Sequence, residues 1–438
     1  MVLSCLGAVV GALGAVGAAG AAPFTPPSDD EVVQKLPYRL DASIRKLWQD
    51  STVSGSPAGP TSPLASAATL AQAVQAARDA IERSRQFGDP RELGLAQAVL
   101  APWWQLSDPP AAVRLLRATV RQSQHDFQGA LQDLRWLTSR GDAALPILAQ
   151  AWLTQAALQQ LQGQLAAAQA SCQALLGPDF APMGGSVARA AQVCLAEALS
   201  LQGRTQAAEQ LLAAAASDQG SRPGSAAATE SWIELVRAEI AERRGQDQVA
   251  GQHYARALAA RPQSDVYTRA AYADWLLRQG QPAQVIRLLS TAGDPDSREA
   301  SAANPGRTTV RANDVLQGMP DALALRQAIA WQQLGAPQAS AAAAELQARF
   351  AEARQRGDLS HAREEARYLL DIRGQASAAL RLAQAQWAQQ KEPADALLLA
   401  RAAVAAGQPQ ALAPLLAFVR DVGWVDARLG VIAPELQR

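Results

Sequence analysis

Glycine and small apolar residues recur along this chain in a fixed order. An alanine lies seven residues before each of five glycines, and a small residue usually lies five residues after it. Glycine tolerates the left-handed backbone that ends one helix and starts a turn into the next. The pattern predicts helix–turn–helix pairs, each with an apolar stripe that only a neighbouring pair can cover. The aligned residues are Ala156, Gly163, Ala168; Ala196, Gly203, Ala208; Ala238, Gly245, Ala250; Ala273, Gly280, Val285; and Ala328, Gly335, Ser340.

The spacing of helix formers and breakers predicts an all-α chain with a helical array over residues 64–420. Ser28 and Glu31 form a capping-box pattern within residues 23–63, which predicts a helix start followed by the Ser/Pro/Gly-rich linker "STVSGSPAGPTSP". Residues 291–318 lack helical periodicity and predict an insertion loop. Residues 421–438 are predicted to form a C-terminal cap or tail.

The spacing of small residues around the glycine resembles the tetratricopeptide repeat, which has a period of about 34 residues. Residues 149–182 match it most fully, with Trp152 at the early aromatic position. His125 replaces the turn glycine in residues 111–144, and Lys391 replaces it in residues 377–410. Residues 231–264 form another recognisable unit. We count seven units, and we interpret the helix pairs at 64–104 and 338–372 as degenerate repeats or caps.

The resemblance has implications for architecture and setting. It implies a right-handed α-solenoid, made irregular here because most glycine spacings exceed the family period. The segments 88–104, 361–374 and 386–403 are similar to uncharacterised exported bacterial tetratricopeptide proteins. That similarity implies a bacterial envelope protein and carries no known activity.

In the repeat family, the first helix of each pair lines a concave groove. Carried onto this sequence, the groove residues would present aromatics beside carboxylates to an extended or helical peptide with apolar anchors and some basic character. The alternative is that Trp232 and Tyr267 pack between repeats. The Lys, Asn and Arg cradle of the family's carboxylate clamps is missing. The predicted partner-binding residues are Trp232, Leu235, Glu239, Arg243, Tyr267, Asp274 and Arg278.

Two cysteines remain if the N-terminal segment is removed. The resemblance places Cys172 in the second helix of one repeat and Cys194 in the first helix of the next, on surfaces that abut. In an oxidising compartment two such residues tend to form a disulfide, whereas in the cytosol they would be small buried hydrophobes. We predict the disulfide.

Residues 1–22 carry no charge and consist of small apolar residues, with Ala19-Gly20-Ala21 near their end. This pattern predicts a cleaved secretory signal peptide and a periplasmic protein, although no Lys or Arg precedes the apolar stretch. An uncleaved membrane anchor is the alternative, and it is the condition under which we would expect a membrane span.

The formal net charge of zero gives no basic excess to attract phosphates, so we predict no nucleic-acid partner. A polybasic membrane-surface patch is absent as well. The remaining class of partner is a protein or peptide.

The sequence contains three histidines, His125, His253 and His361, and no two of them lie at the spacing of a metal site. It contains neither a phosphate-binding P-loop nor a dinucleotide-binding glycine motif. We therefore predict no catalytic, metal or cofactor site, and a non-enzymatic protein-binding scaffold or assembly factor. The alternative function is a structural or tethered periplasmic component of a transporter or envelope assembly.

Overall fold

A computed structural model describes residues 67–217, 223–261, 266–290, 315–316, 318–355 and 362–434. Every regular element in these ranges is helical and none is a strand, so the all-α prediction is confirmed there. The predictions for residues 1–22 and 23–63, for His361, and for most of the loop at 291–318 lie outside the described residues.

The first half of the described chain contains helices α1 to α10. Their bounds are α1 Ala67–Phe87, α2 Arg91–Val99, α3 Ala101–Trp104, α4 Ala111–Ser123, α5 Phe127–Arg140, α6 Leu145–Leu161, α7 Leu165–Ala174, α8 Gly185–Ser200, α9 Thr205–Ser217 and α10 Pro223–Arg243. A 3₁₀ helix at Pro178–Met183 separates α7 from α8.

The second half contains α11 to α20. Their bounds are α11 Asp247–Ala260, α12 Val266–Arg278, α13 Pro282–Ser290, α14 Asp321–Gln333, α15 Gln338–Gln355, α16 Ala362–Asp371, α17 Ala376–Gln389, α18 Pro393–Ala405, α19 Ala413–Val422 and α20 Ala427–Ile432. A second 3₁₀ helix, Pro409–Leu412, precedes α19.

The predicted glycines end the even-numbered helices in a shared geometry. All five have positive φ, from 63° at Gly335 to 76° at Gly163. The residue after each glycine bonds back to the last turn of the helix, as in the 3.1 Å bond from the backbone N–H of Arg204 to the carbonyl of Leu199. This is the Schellman arrangement, which satisfies carbonyls at a helix end. His125, at φ 73°, adopts the glycine's conformation at the position where the pattern predicted a substitute.

Most helices pack against the next in sequence, and most successive even-numbered helices also contact one another. Contacts join α4 to α6, α6 to α8 and α8 to α10, and later α12 to α14, α14 to α16, α16 to α18 and α18 to α20. The alanines that precede the turn glycines are almost completely buried at the crossings. Small side chains permit this approach of neighbouring backbones, as the sequence pattern predicts.

Two details differ from the sequence prediction. Ser340 is exposed, and the buried small residue of α15 is Ala342, two residues further on. That helix also begins one residue later after its glycine than α7, α9, α11 and α13 do. The predicted last unit, 377–410, is out of phase by one helix. The positive-φ turns lie at Gly374 and Gly407, so α16 and α18 continue the even-numbered series and α17 belongs to the other.

The chain also closes on itself over long sequence separations. The backbone N–H of Lys391 donates to the carbonyl of Leu161 at 2.8 Å. Arg428 of α20 pairs with Glu242 of α10 at 2.8 Å, across 186 residues. We call the contact between the ends of α6, α8 and α10 and residues 391–428 the closing interface.

The N-terminal helix makes a contact of the same kind. Arg261 pairs with Glu82 of α1 at 3.0 Å, across 179 residues. Helix α1 also packs against α12. Contacts between segments far apart in the chain therefore occur at two places in the molecule.

Alanine substitutions at two turn glycines, Gly203 and Gly280, test the closing interface. A Cβ on Gly203 would lie 2.8 Å from the carbonyl oxygen of Gly423, whereas one on Gly280 would meet nothing within 4 Å. Both have positive φ, so alanine at either costs about 1–2 kcal/mol of conformational strain. We expect Gly203→Ala to lose at least about 1 kcal/mol more, because it also forces the interface apart. Urea unfolding of the two variants measures the difference, and equal losses would contradict it.

Candidate functional site: the charged interior

The seven predicted groove residues lie on α10 and α12, but they do not form an open surface. Trp232, Leu235 and Arg243 are buried. Glu239, Tyr267 and Asp274 are half-buried, and Arg278 is exposed. The exposed aromatics expected from sequence are therefore absent at this place: Trp232 is buried in the apolar core, and the hydroxyl of Tyr267 donates to Glu239 at 2.7 Å.

Ionisable side chains from seven even-numbered helices meet here, and we call this group the interior cluster. Most are joined in pairs between helices rather than within one helix. The members are Glu197 of α8; Glu239, Glu242 and Arg243 of α10; Tyr267, Asp274 and Arg278 of α12; Arg326 of α14; Arg363 and Arg367 of α16; Glu392 and Asp395 at the start of α18; and Arg428 of α20.

The ion pairs of Asp274 lower the pKa of its carboxyl group. It accepts two hydrogen bonds from Arg326, at 3.0 and 2.7 Å, and pairs with Arg367 as well. Burial alone would raise the pKa of this carboxyl group, but the two guanidinium groups lower it to about 2. Asp274 is therefore ionised over the ordinary pH range and ties α12 to α14 and α16.

Glu242 connects three further helices. Its carboxylate accepts a 2.9 Å hydrogen bond from the hydroxyl of Tyr254 and pairs with Arg278 and Arg428. The side chain of Arg278 remains 37% exposed, so it is the member of the predicted groove that a partner can reach without displacing another residue.

The pKa values of Glu197, Glu239 and Glu392 are raised, unlike that of Asp274, because these buried carboxyl groups lie close to one another. Burial and the charge of Glu239 raise the pKa of Glu197 well above its usual range. Burial also raises the pKa of Glu239, against the nearby charge of Arg243. These acids sit where α8, α10 and the start of α18 come together. The sequence shows no trace of this crowding, since the three residues are far apart in the chain.

The predicted disulfide lies beside this region. Cys172 of α7 and Cys194 of α8 are joined in a disulfide, with their Cα atoms 5.7 Å apart. Both side chains are fully buried. The covalent bond therefore fixes one helix pair to the next within the apolar core.

A surface pocket near the N-terminal end of the even-numbered series was not foreseen from sequence. Its volume is about 440 Å³, and its walls include Trp103, Pro109, Pro110 and Trp136. The guanidinium carbon of Arg140 lies 4.6 Å from the centre of the Trp136 ring, a cation–π contact. The sequence feature that could have indicated this pocket is the pair Trp103-Trp104 followed by Asp108-Pro109-Pro110.

The described residues contain no group of three His, Cys, Asp or Glu side chains placed to hold a metal ion. The imidazole of His253 pairs with Glu234 at 2.8 Å, and His125 stacks on Phe127 with ring centroids 5.9 Å apart. Each of these two histidines thus takes part in local packing. In the same part of the chain, no helix is long and apolar enough to cross a membrane.

No known protein-family model matches this sequence, and no curated protein is detectably similar to it.

Proposed function

We propose that the helices form a right-handed α-solenoid of tetratricopeptide-type hairpins. The recurrent turn geometry and the contacts between successive even-numbered helices support this arrangement. The long-range contacts of Arg261 with Glu82 and of Arg428 with Glu242 also support it, since a superhelix can bring segments that are far apart in the chain into contact.

On this framework, the protein is a non-enzymatic protein-binding scaffold or assembly factor of the bacterial envelope. The observation that carries the proposal is the convergence of ionisable side chains from successive even-numbered helices on one interior surface. Around Glu197, Glu239 and Glu392, carboxyl groups outnumber guanidinium groups. Such a surface suits a polypeptide segment with basic residues and apolar anchors. The buried disulfide fits an oxidising compartment such as the periplasm.

Affinity capture from envelope extracts tests this proposal, with the full chain as bait and mass spectrometry as readout. We expect a specific protein to be recovered, and Arg278→Ala to bind it about tenfold or more weakly, as for an interfacial arginine. Arg244→Ala is the matched control, because Arg244 is exposed at the end of α10 and belongs to no pair of the interior cluster. Equal recovery with both variants, or none above the empty matrix, would contradict a binding role for this surface.

A second candidate function is a structural or tethered component of a transporter or envelope assembly. The closing interface favours it, because the chain already fills part of its own interior. N-terminal sequencing of the mature protein separates the two functions: an intact Met1 supports a tether, and a start near residue 23 supports a released scaffold.

A further inference from the structure

The surface pocket between the end of α3, the start of α4 and the end of α5 has flat apolar rings in its walls. Trp103 and Pro109 are buried there, and Pro110 and Trp136 are half-buried. Aromatic walls of this kind are where proline-rich peptides dock, because an extended polyproline II helix lays its rings against them. The volume of about 440 Å³ lies within the range typical of ligand sites.

Contacts within the protein fix the position of Trp136. The guanidinium carbon of Arg114 lies 3.8 Å from the centre of the Trp136 ring. The same guanidinium group donates to the carbonyl of Ser107 at 2.8 Å and to Asp108 at 3.1 Å, so it joins α5 to the loop before α4. It also donates to the buried carboxylate of Asp133. Walls that are already ordered lose little side-chain entropy when a ligand binds.

The charges around the pocket favour an uncharged ligand. Its two exposed carboxylates already have partners, because Asp108 pairs with Arg114 and Asp142 pairs with Arg140, each at 3.1 Å. A charged side chain would have to displace one of these pairs. An uncharged peptide rich in proline needs only the ring surfaces.

The chain itself contains a segment of this composition. Residues 51–66 include no charged residue, and Pro57, Pro60 and Pro63 recur at every third position. A polyproline II helix has three residues per turn, so it would place these three rings on one face. The segment lies outside the described residues.

The start of α1 lies on the same side of the first helix pair as the pocket. Arg83, near the end of α1, pairs with Glu92, near the start of α2, at 2.8 Å, so the two helices run antiparallel. The end of α2, with α3 directly after it, therefore lies beside the start of α1. In agreement, Leu70 in the first turn of α1 packs against the apolar cluster that contains Trp103.

The chain before α1 is long enough to reach the pocket. Pro63 precedes Ala67, the first residue of α1, by four residues. An extended chain spans up to about 3.5 Å per residue, so Pro63 can lie up to about 14 Å from the start of the helix. A segment tethered over so short a distance has an effective concentration on the order of millimolar. A weak contact is therefore sufficient to keep the pocket occupied.

We propose that the pocket formed by Trp103, Pro109, Pro110 and Trp136 binds residues 57–63 of the same chain, with the proline rings of the segment against its walls. The segment predicted as a linker would thus attach the N-terminal part of the chain to the first helices. The pocket involves α3, α4 and α5, none of which contributes to the interior cluster. The proposal can therefore be tested whether or not the proposed binding function is correct.

Oxidation of Trp136 by hydroxyl radicals, measured by mass spectrometry on the full chain, reports whether the pocket is occupied. In the triple variant Pro57→Ala, Pro60→Ala and Pro63→Ala we expect Trp136 to oxidise roughly twofold faster than in the wild type, because a ring packed on the indole shields about one of its two faces. The matched control, Thr61→Ala with Ser62→Ala, changes the same segment but keeps the prolines and should behave like the wild type.

A fluorescein-labelled peptide of residues 55–64 tests the pocket from the other side. We expect it to bind the triple proline variant about tenfold more tightly than the wild type, whose own segment competes at a millimolar effective concentration. Leu106, which lines the pocket, is 43% exposed, and Leu176, which does not, is 44% exposed. Added to the triple variant, Leu106→Asp should weaken peptide binding, and Leu176→Asp should not.

Three results would overturn the proposal. The first is equal oxidation of Trp136 in the wild type and the triple proline variant. The second is protection of Trp136 that increases with protein concentration, as expected if a second copy supplies the segment. The third is peptide binding that is undetectable, or that Leu106→Asp and Leu176→Asp change equally.

Discussion

Asp133→Asn is expected to lower the free energy of unfolding by about 3–5 kcal/mol, the cost typical of removing one partner from a buried ion pair. The carboxylate of Asp133 is buried and accepts hydrogen bonds from Arg117 at 2.6 and 2.8 Å, from Arg114 at 3.2 Å and from Arg121 at 2.8 Å. Asparagine retains the shape but leaves the two buried guanidinium groups, of Arg114 and Arg117, without this counter-charge.

The effect should extend beyond the pair itself. Arg117 also donates to the carbonyl of Trp104 at 2.5 Å, and Arg114 donates to that of Ser107 at 2.8 Å. The first bond satisfies the carbonyl of the last residue of α3, which helix geometry leaves without a partner, and the second holds the loop that follows α3. Loss of Asp133 should therefore increase hydrogen exchange at residues 104–108 as well as lower global stability.

The control is Asp142→Asn. Asp142 pairs with Arg140 at 3.1 Å, and the two side chains are 57% and 53% exposed. An exposed pair contributes about 0–1 kcal/mol and is screened by salt. Urea unfolding in low salt and in 0.5 M NaCl (roughly a 4 Å Debye length) should show a large, salt-insensitive loss for Asp133→Asn only. A loss below about 1 kcal/mol would mean that water reaches the arginines.

The double variant Cys172→Ala and Cys194→Ala is expected to lose about 3 kcal/mol of unfolding free energy. The disulfide spans 22 residues, and constraining a loop of this length in the unfolded chain contributes roughly that amount in the chain-entropy model. Thermal and urea unfolding of oxidised wild type and double variant measure the loss.

Burial should also protect the disulfide from reduction in the native protein. Both cysteines are fully buried, so a thiol reductant should reach them only after local unfolding. We expect neither Cys172 nor Cys194 to give a free thiol in native wild-type protein treated with dithiothreitol, and both to give one once the treated protein is denatured. Cys172→Ala alone should be nearly as destabilising as the double variant. Two reactive thiols in the untreated native protein would contradict the disulfide.

The buried arginines of α4 show where sequence patterns fail. Arg114, Arg117 and Arg121 are charged residues at helical spacing, which normally indicates a solvated face. They are instead gathered on Asp133 of the following helix, and Arg114 and Arg117 are buried. One carboxylate with backbone carbonyls nearby makes that burial possible, and only the packed hairpin brings these groups together.

The sequence by itself determined the local structure of this protein, that is, its helices and the turns between them. Helical composition, the turn glycines with their small neighbours, and even the exceptional turn at His125 follow from backbone torsion and from the spacing of residues on one helix. The adjacency of Cys172 and Cys194 needed one further step, from one hairpin to the next, and the resemblance to a repeat family supplied it.

The tertiary structure alone decided the closing interface and the state of the predicted groove. Both depend on contacts between helices that are far apart in the sequence, and no local pattern encodes such contacts. The pairs that bury Arg243 and occupy Glu239 and Asp274 come from segments that no short-range pattern connects. For that reason six of the seven residues that were predicted as an open surface are buried or half-buried, and Arg278 is the one of the seven that is exposed.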